Sequence, residues 1–127
     1  MQTKFPVVLH GKVMQGNHIG RTIDMPTANI IPDENIDALN RGVYYSLVYV
    51  KNNKYKGITN VGVKPTVSNN SIVNVETFLY NYEGELYGED IIVELLEFRR
   101  PEMKFGSIEE LSRQMHADLD AGREYGN

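Results

Sequence analysis

Residues 72–80 read IVNVETFLY, and their apolar and polar positions alternate. Val73, Val75, Thr77 and Leu79 fall on one face, and Asn74, Glu76, Phe78 and Tyr80 on the other. Alternation with period two is the signature of a strand with one face in a core. Residues 43–50, VYYSLVYV, carry the β-branched and aromatic side chains that suit a pleated surface. KNNK follows, with Asn52 and Asn53 at its centre. Asparagine tolerates positive φ, so a tight hairpin turn is expected there, with a return strand over 55–62. DIIVELLEF, residues 90–98, predicts another strand after a turn region in NYEGELYG. A further strand is expected through VVLHGKVMQG near the N-terminus.

The period then changes. Ser107 is followed three residues later by Glu110, a capping-box start. Ile108, Leu111, Met115 and Leu119 recur as one apolar stripe of a helix, and Gly122 reads as its stop. No helical stretch between the strands is long enough for a parallel crossover. The pattern therefore predicts a mainly β fold of five or six antiparallel strands, a small closed or nearly closed barrel with one helix packed on it.

The length of 127 residues suits a single domain over 1–127. Hydrophobic residues at 41% and charged residues at 24% are ordinary for a globular protein. The formal net charge is −4, and no run of lysine or arginine could track a nucleic-acid backbone, so nucleic acid is not an expected partner. Cysteine is absent, which removes disulfides and thiolate metal sites and fits a cytoplasmic setting. His10, His18 and His116 share no metal-ligand spacing. No stretch approaches the roughly 20 apolar residues of a membrane helix, and the N-terminus lacks the apolar segment of a signal peptide.

Four polar features could carry chemistry. Gly11, Gly16 and Gly20, with Lys12 and Arg21 nearby, would let a phosphate approach the backbone, although an irregular β-loop explains the same glycines. In DMPTANI, residues 24–30, Pro26 disfavours the helical region at Met25 and holds the chain extended. Thr27 and Asn29 then point the same way. Their neutral oxygens suit a magnesium ion that also takes phosphate oxygens and water, and they equally suit local backbone groups. Glu76 sits mid-strand among apolar neighbours, as a sheltered base or as an outward-facing carboxylate. Finally, Arg99, Arg100 and Lys104 in RRPEMKFGS precede a helix start, where an anion or a solvated connection is expected.

Five stretches in order carry a resemblance over nearly the whole chain, from about Val8 to about Ala121. They are GKVMQGNHIGRTIDMPTANI, GVYYSLVYV, YKGITNVGVKPT, VETFLYNYEGELYGEDIIVELLEFRRPE and KFGSIEELSRQMHADLDA. Together they resemble the riboflavin kinase family. The resemblance implies a six-stranded antiparallel closed β-barrel with a C-terminal helix. It implies transfer of the γ-phosphate of ATP to the 5′-hydroxyl of riboflavin, giving FMN and ADP. It implies that Thr27 and Asn29 hold Mg2+ on the nucleotide, with Zn2+ or Mn2+ in its place left open. Glu76 would be the base for the ribityl hydroxyl. Gly16, Gly20 and Arg21 would lie over the phosphates of ATP, with Gly11 and Thr27 beside them. Arg100, with Phe105 and Ser107, would border the flavin.

Two positions depart from the family pattern. Asp24 stands where glycine is usual, and an acid there either repels ATP or joins the metal's outer shell. Phe78 stands where many relatives have histidine. Bacterial relatives often carry this domain behind an adenylyltransferase domain that makes FAD, so fusion to such an FAD synthetase domain is a further expectation. Two other readings stay open. One is a non-catalytic flavin- or nucleotide-binding module of the same fold, motivated by Asp24. The other is a nucleic-acid-binding barrel, against which the acidic balance weighs.

Overall fold

The computed structural model describes residues 3–14, 26–65 and 71–126. The alternating stretches form β1 (Val7–Lys12), β2 (Thr27–Ile30), β3 (Gly42–Val50), β4 (Asn53–Pro65), β5 (Ser71–Leu79) and β6 (Asp90–Pro101). The helix α1 (Ile108–Glu124) follows. The strands make one sheet in the order β1-β6-β3-β4-β5-β2, every described neighbour antiparallel.

The sheet is two-faced because each strand alternates. Its inner face carries Leu9, Ile30, Val48, Val61, Val75, Leu79 and Val93, all fully buried in one core cluster. Three hydroxyls interrupt that apolar lining. Thr59 Oγ1 donates to Ser46 Oγ (2.7 Å) and lies 2.7 Å from Thr77 Oγ1. A threonine hydroxyl has one hydrogen to give, so Thr77 donates to Thr59. The chain satisfies buried polar groups on β3, β4 and β5 that would otherwise be costly.

The sheet curls until its edges meet. Met14 N–H donates to the Asn29 carbonyl (2.7 Å), and Asp33 N–H donates to the His10 carbonyl (2.8 Å). Gly11 allows this approach, since a Cβ there would come within 2.9 Å of Ile30 Cβ. Six strands and a C-terminal helix agree with the expectation. The described pairings make a half-barrel in which Met14, just past β1, bridges Asn29 of the other edge strand, and no closing ladder is among them.

Helix α1 covers part of the outer face. Ser107 caps it, its Oγ accepting from Glu110 N–H (3.1 Å), while Glu110 Oε2 reaches back to Gly106 N–H (2.8 Å). Met115 and Leu119 pack on Val43, Ile58, Phe78 and Tyr80. Tyr80 Oη donates to the Leu119 carbonyl (2.6 Å).

Three details differ from the sequence reading. The hairpin turns on Lys51 and Asn52, both at positive φ (49° and 70°), and Asn53 already pairs with Val50. The two-residue turn needs two consecutive left-handed residues, and the register selects the earlier pair. Ile108 is 69% exposed, so the buried stripe begins later and takes in Asp118. Gly122 lies inside the helix, which Tyr125 N–H closes onto the Ala121 and Gly122 carbonyls. Glycine serves there because a Cβ would collide with Tyr80 Oη and the Ile58 side chain. Among the described residues no helix is long and apolar enough to cross a membrane.

Gly122→Ala therefore sets two effects against each other. Helix propensity alone would stabilise the variant by about 1 kcal/mol, whereas overpacking costs about 1–3 kcal/mol. We expect net destabilisation, read as a lower urea midpoint with an unchanged slope. A raised midpoint would show that the helix shifts freely on the sheet.

Candidate active site

Strand register lines up one row of side chains across the outer face. Asn29 on β2 is opposite Glu76 on β5, and Glu76 is opposite Asn60 on β4. Asn60 is opposite Val43 on β3, and Val43 opposite Arg100 on β6. Residues far apart in sequence are thus fixed by backbone pairing rather than by loops.

Between this row, α1 and residues 102–105 lies a cavity of about 460 Å3. Its apolar wall is Ile58, Phe78, Met103, Phe105, Leu111 and Met115, and its polar groups include Asn60, Glu76, Arg100 and Lys104. A mostly apolar cleft of this size with a few convergent polar groups suits a small organic ligand with a flat apolar part.

Glu76 is only 6% exposed. Burial pushes its carboxyl above the usual carboxylate range, and a hydrogen bond from Asn29 partly opposes the shift. That bond, Asn29 Nδ2 to Glu76 Oε2, is long at 3.5 Å. Asn29 Oδ1 in turn accepts from Asn74 Nδ2 (3.3 Å). A sheltered carboxylate with one weak donor is suited to taking up a proton.

The far end of the row is held differently. Successive strand residues normally point to opposite faces. A register shift between Val43 and Tyr44 leaves Arg99 without a partner across the strand pair, so Arg99 and Arg100 both reach Asp118. Arg100 binds it with two prongs, Nε to Oδ1 (2.9 Å) and Nη2 to Oδ2 (2.6 Å). Arg99 Nε donates to Oδ1 (2.9 Å) and its Nη1 to Tyr45 Oη (3.2 Å). Gln114 Nε2 also donates to Oδ1 (3.2 Å). Burial alone would raise the Asp118 carboxyl, but the bonds from Arg100 and Arg99 outweigh it and hold the group below its ordinary value.

The expected site residues divide clearly. Glu76, Arg100 and Phe105 line the cavity. Asn29 is buried beside Glu76, and Thr27 opens β2 opposite Phe78. Phe78, the departure from histidine, forms apolar wall. Ser107 does not line the cavity, and its hydroxyl is the helix cap. Gly11 is in β1 on the inner face, where it lets the sheet edges approach. Gly16, Gly20, Arg21 and Asp24 lie outside the described residues. Asn60 and Asp118 were missed. An acid three residues after Met115 and seven after Leu111, on the apolar stripe, with two arginines upstream, was the available signal for Asp118.

A family model described as riboflavin kinase (flavokinase) matches residues 3–126. An RNA-binding riboflavin kinase of Bacillus subtilis (strain 168) is 38% identical over 112 residues, covering 88% of this chain and 48% of that protein. A bifunctional riboflavin kinase/FMN adenylyltransferase of Haemophilus influenzae (strain ATCC 51907 / DSM 11121 / KW20 / Rd) is 32% identical over 123 residues, covering 96% of this chain and 39% of that protein. The chain thus spans less than half the length of these curated relatives. A crystal structure titled macrolide-efflux protein, from Streptococcus pneumoniae, superposes with a TM-score of 0.83 at 30% identity, over 95% of this chain and 40% of that one.

The Asp118 cluster yields a pH prediction. A carboxyl depressed in the folded state contributes stability above its unfolded value, and loses that contribution as pH falls through the folded one. Asp118→Asn should cost about 3 kcal/mol at pH 7, since it leaves two arginines without their counter-charge and breaks the two-pronged fork. The gap between wild type and variant should shrink once the pH falls below about 4. Urea midpoints of both proteins at pH 7 and pH 3 measure it, and an equal gap at both values would contradict the assignment.

Proposed function

The chain belongs to the riboflavin kinase family, and from that premise we propose that it transfers the γ-phosphate of ATP to the 5′-hydroxyl of riboflavin, giving FMN and ADP. The observation that carries this is Glu76. It is a buried carboxylate, its proton affinity raised by burial, placed on the wall of an apolar cavity.

Phosphoryl transfer asks a protein mainly for positioning and charge neutralisation. The apolar wall of Phe78, Met103 and Phe105 suits the flavin ring system, with Arg100 as a donor at one end. The ribityl chain then runs toward Glu76, which orients the terminal hydroxyl and accepts its proton. Thr27 and Asn29 share one face of β2, and Asn29 lies directly across from Glu76. Among the described residues no three His, Cys, Asp or Glu side chains form a metal cluster. The donors offered are instead neutral oxygens, which fit magnesium bound chiefly through phosphate and water. When bound, magnesium neutralises charge on the phosphates. The arrangement needs Asn29 to turn its amide oxygen from Asn74 toward the nucleotide.

Gly16, Gly20 and Arg21 complete the reading as the loop over the phosphates of ATP. The Met14–Asn29 bridge supports taking the sheet as a closed barrel with the nucleotide at its seam. The reading sets the enzyme in the cytoplasm, where ATP is supplied. In a longer protein the FMN formed would pass to a fused adenylyltransferase domain, as the name of the Haemophilus relative suggests.

The experiment is incubation with riboflavin, ATP and magnesium, and separation of the flavins by chromatography. FMN should accumulate. Flavin binding without turnover would favour the non-catalytic module. Glu76→Gln should retain riboflavin binding and lose about 10²-fold or more in kcat, the scale of a lost general base. Turnover at the wild-type rate would remove Glu76 from that role. Asn29→Ala should raise the magnesium concentration needed for half-maximal rate, and an unchanged requirement would take Asn29 out of the metal site.

A further inference from the structure

Asp118 is 4% exposed at the helix–sheet junction, although Met115 and Leu119 already bind the helix to the sheet there. Burying a carboxylate and two guanidinium groups carries a desolvation cost that apolar side chains of similar size would avoid. Holding the helix is therefore an incomplete reason for the cluster.

The two arginines are not equivalent. Arg100 lines the cavity, and Arg99 is not among its lining residues. Arg100 is also the one gripped by a two-pronged fork, while Arg99 meets Asp118 through Nε alone. Arg100 Nη1 donates to the Pro101 carbonyl (3.0 Å). A guanidinium has five N–H donors. Three are therefore spent within the protein, and the guanidinium plane is fixed by contacts to Asp118 and to the Pro101 carbonyl. An arginine on a flexible stem loses rotamer freedom when it binds, and one already locked loses less.

We propose that Asp118 is a positioning residue for the cavity, holding the Arg100 guanidinium so that its remaining N–H groups meet the ligand as a fixed donor pair. The ligand group matched by such a pair, with its charge already compensated by Asp118, is a neutral acceptor such as a ring carbonyl. The inference rests on riboflavin being the cavity's ligand. Asp118 lies at the cavity wall, but both its oxygens are engaged by Arg99, Arg100 and Gln114, so it acts on the ligand through Arg100.

The test compares Asp118→Asn, Arg99→Ala and Arg100→Lys with wild type. Riboflavin affinity is read by flavin fluorescence quenching, KM and kcat by FMN formation, and folding by circular dichroism and urea midpoints. Asp118→Asn should weaken riboflavin binding about tenfold, the scale of a disrupted hydrogen bond to a charged group. KM should rise with kcat little changed. Arg99→Ala should lose comparable stability yet bind riboflavin within about twofold of wild type. Combined with Arg100→Lys, Asp118→Asn should add no further loss of affinity. A folded Asp118→Asn protein with wild-type affinity overturns the proposal. Should that variant fail to fold, Arg100→Lys decides, because it keeps the charge and breaks the fork; unchanged affinity there overturns it as well. Wild-type protein that binds no riboflavin overturns the flavin reading itself, and the proposal with it.

Discussion

The fork between Asp118 and Arg100 joins the last helix to the last strand, beside the apolar contacts of Met115 and Leu119, and that junction closes one side of the cavity. Without α1 the outer face of β4 and β5 would be open, with Ile58 and Phe78 in water. With α1 seated, the apolar wall acquires a second side across the cavity from Glu76. An ion pair is an expensive way to fix a helix. Its advantage is direction: a leucine fills space, whereas a forked guanidinium fixes a plane.

The sheet separates stability from chemistry by face. Its inner side carries the core, with the Ser46–Thr59–Thr77 hydroxyl chain satisfied internally. Its outer side carries Asn29, Glu76, Asn60 and Arg100 in one cross-strand row. Each strand from β2 to β6 therefore contributes alternately to the fold and to the site. A one-residue slip would exchange the two sets, so the buried inner face also enforces the register of the outer one.

Much of this was legible from periodicity. The two faces of residues 72–80 appear as read, with Val75, Thr77 and Leu79 inward and Glu76 and Phe78 outward. The Ser107 cap also appears, because its chemistry is local, although Glu110 reaches back to Gly106 N–H rather than to the cap residue's own. What escaped the sequence depended on long-range geometry. The register shift beside Arg99 has no local signature, so the convergence of two neighbouring arginines on one acid was invisible. Gly122 read as a helix stop because glycine commonly is one; it serves instead where the helix comes close to Tyr80 and Ile58. The Lys51–Asn52 turn differs from its expected position by one residue, since pairing across the hairpin decides which residues turn. Asp118 went unremarked, because burial is a property of the assembled layers.

The position of Asp118 in the chain has a consequence for synthesis. Every strand leaves the ribosome before it, so the inner core can form while the outer face is still uncovered. A product halted before residue 118 would retain the sheet's pairing residues but lack the clamp, Leu119 and the last turns of α1. It would expose the apolar patch of Val43, Ile58 and Phe78, a feature that quality-control systems recognise. Completion of α1 and completion of the site therefore coincide, and a product halted within the helix carries its own mark.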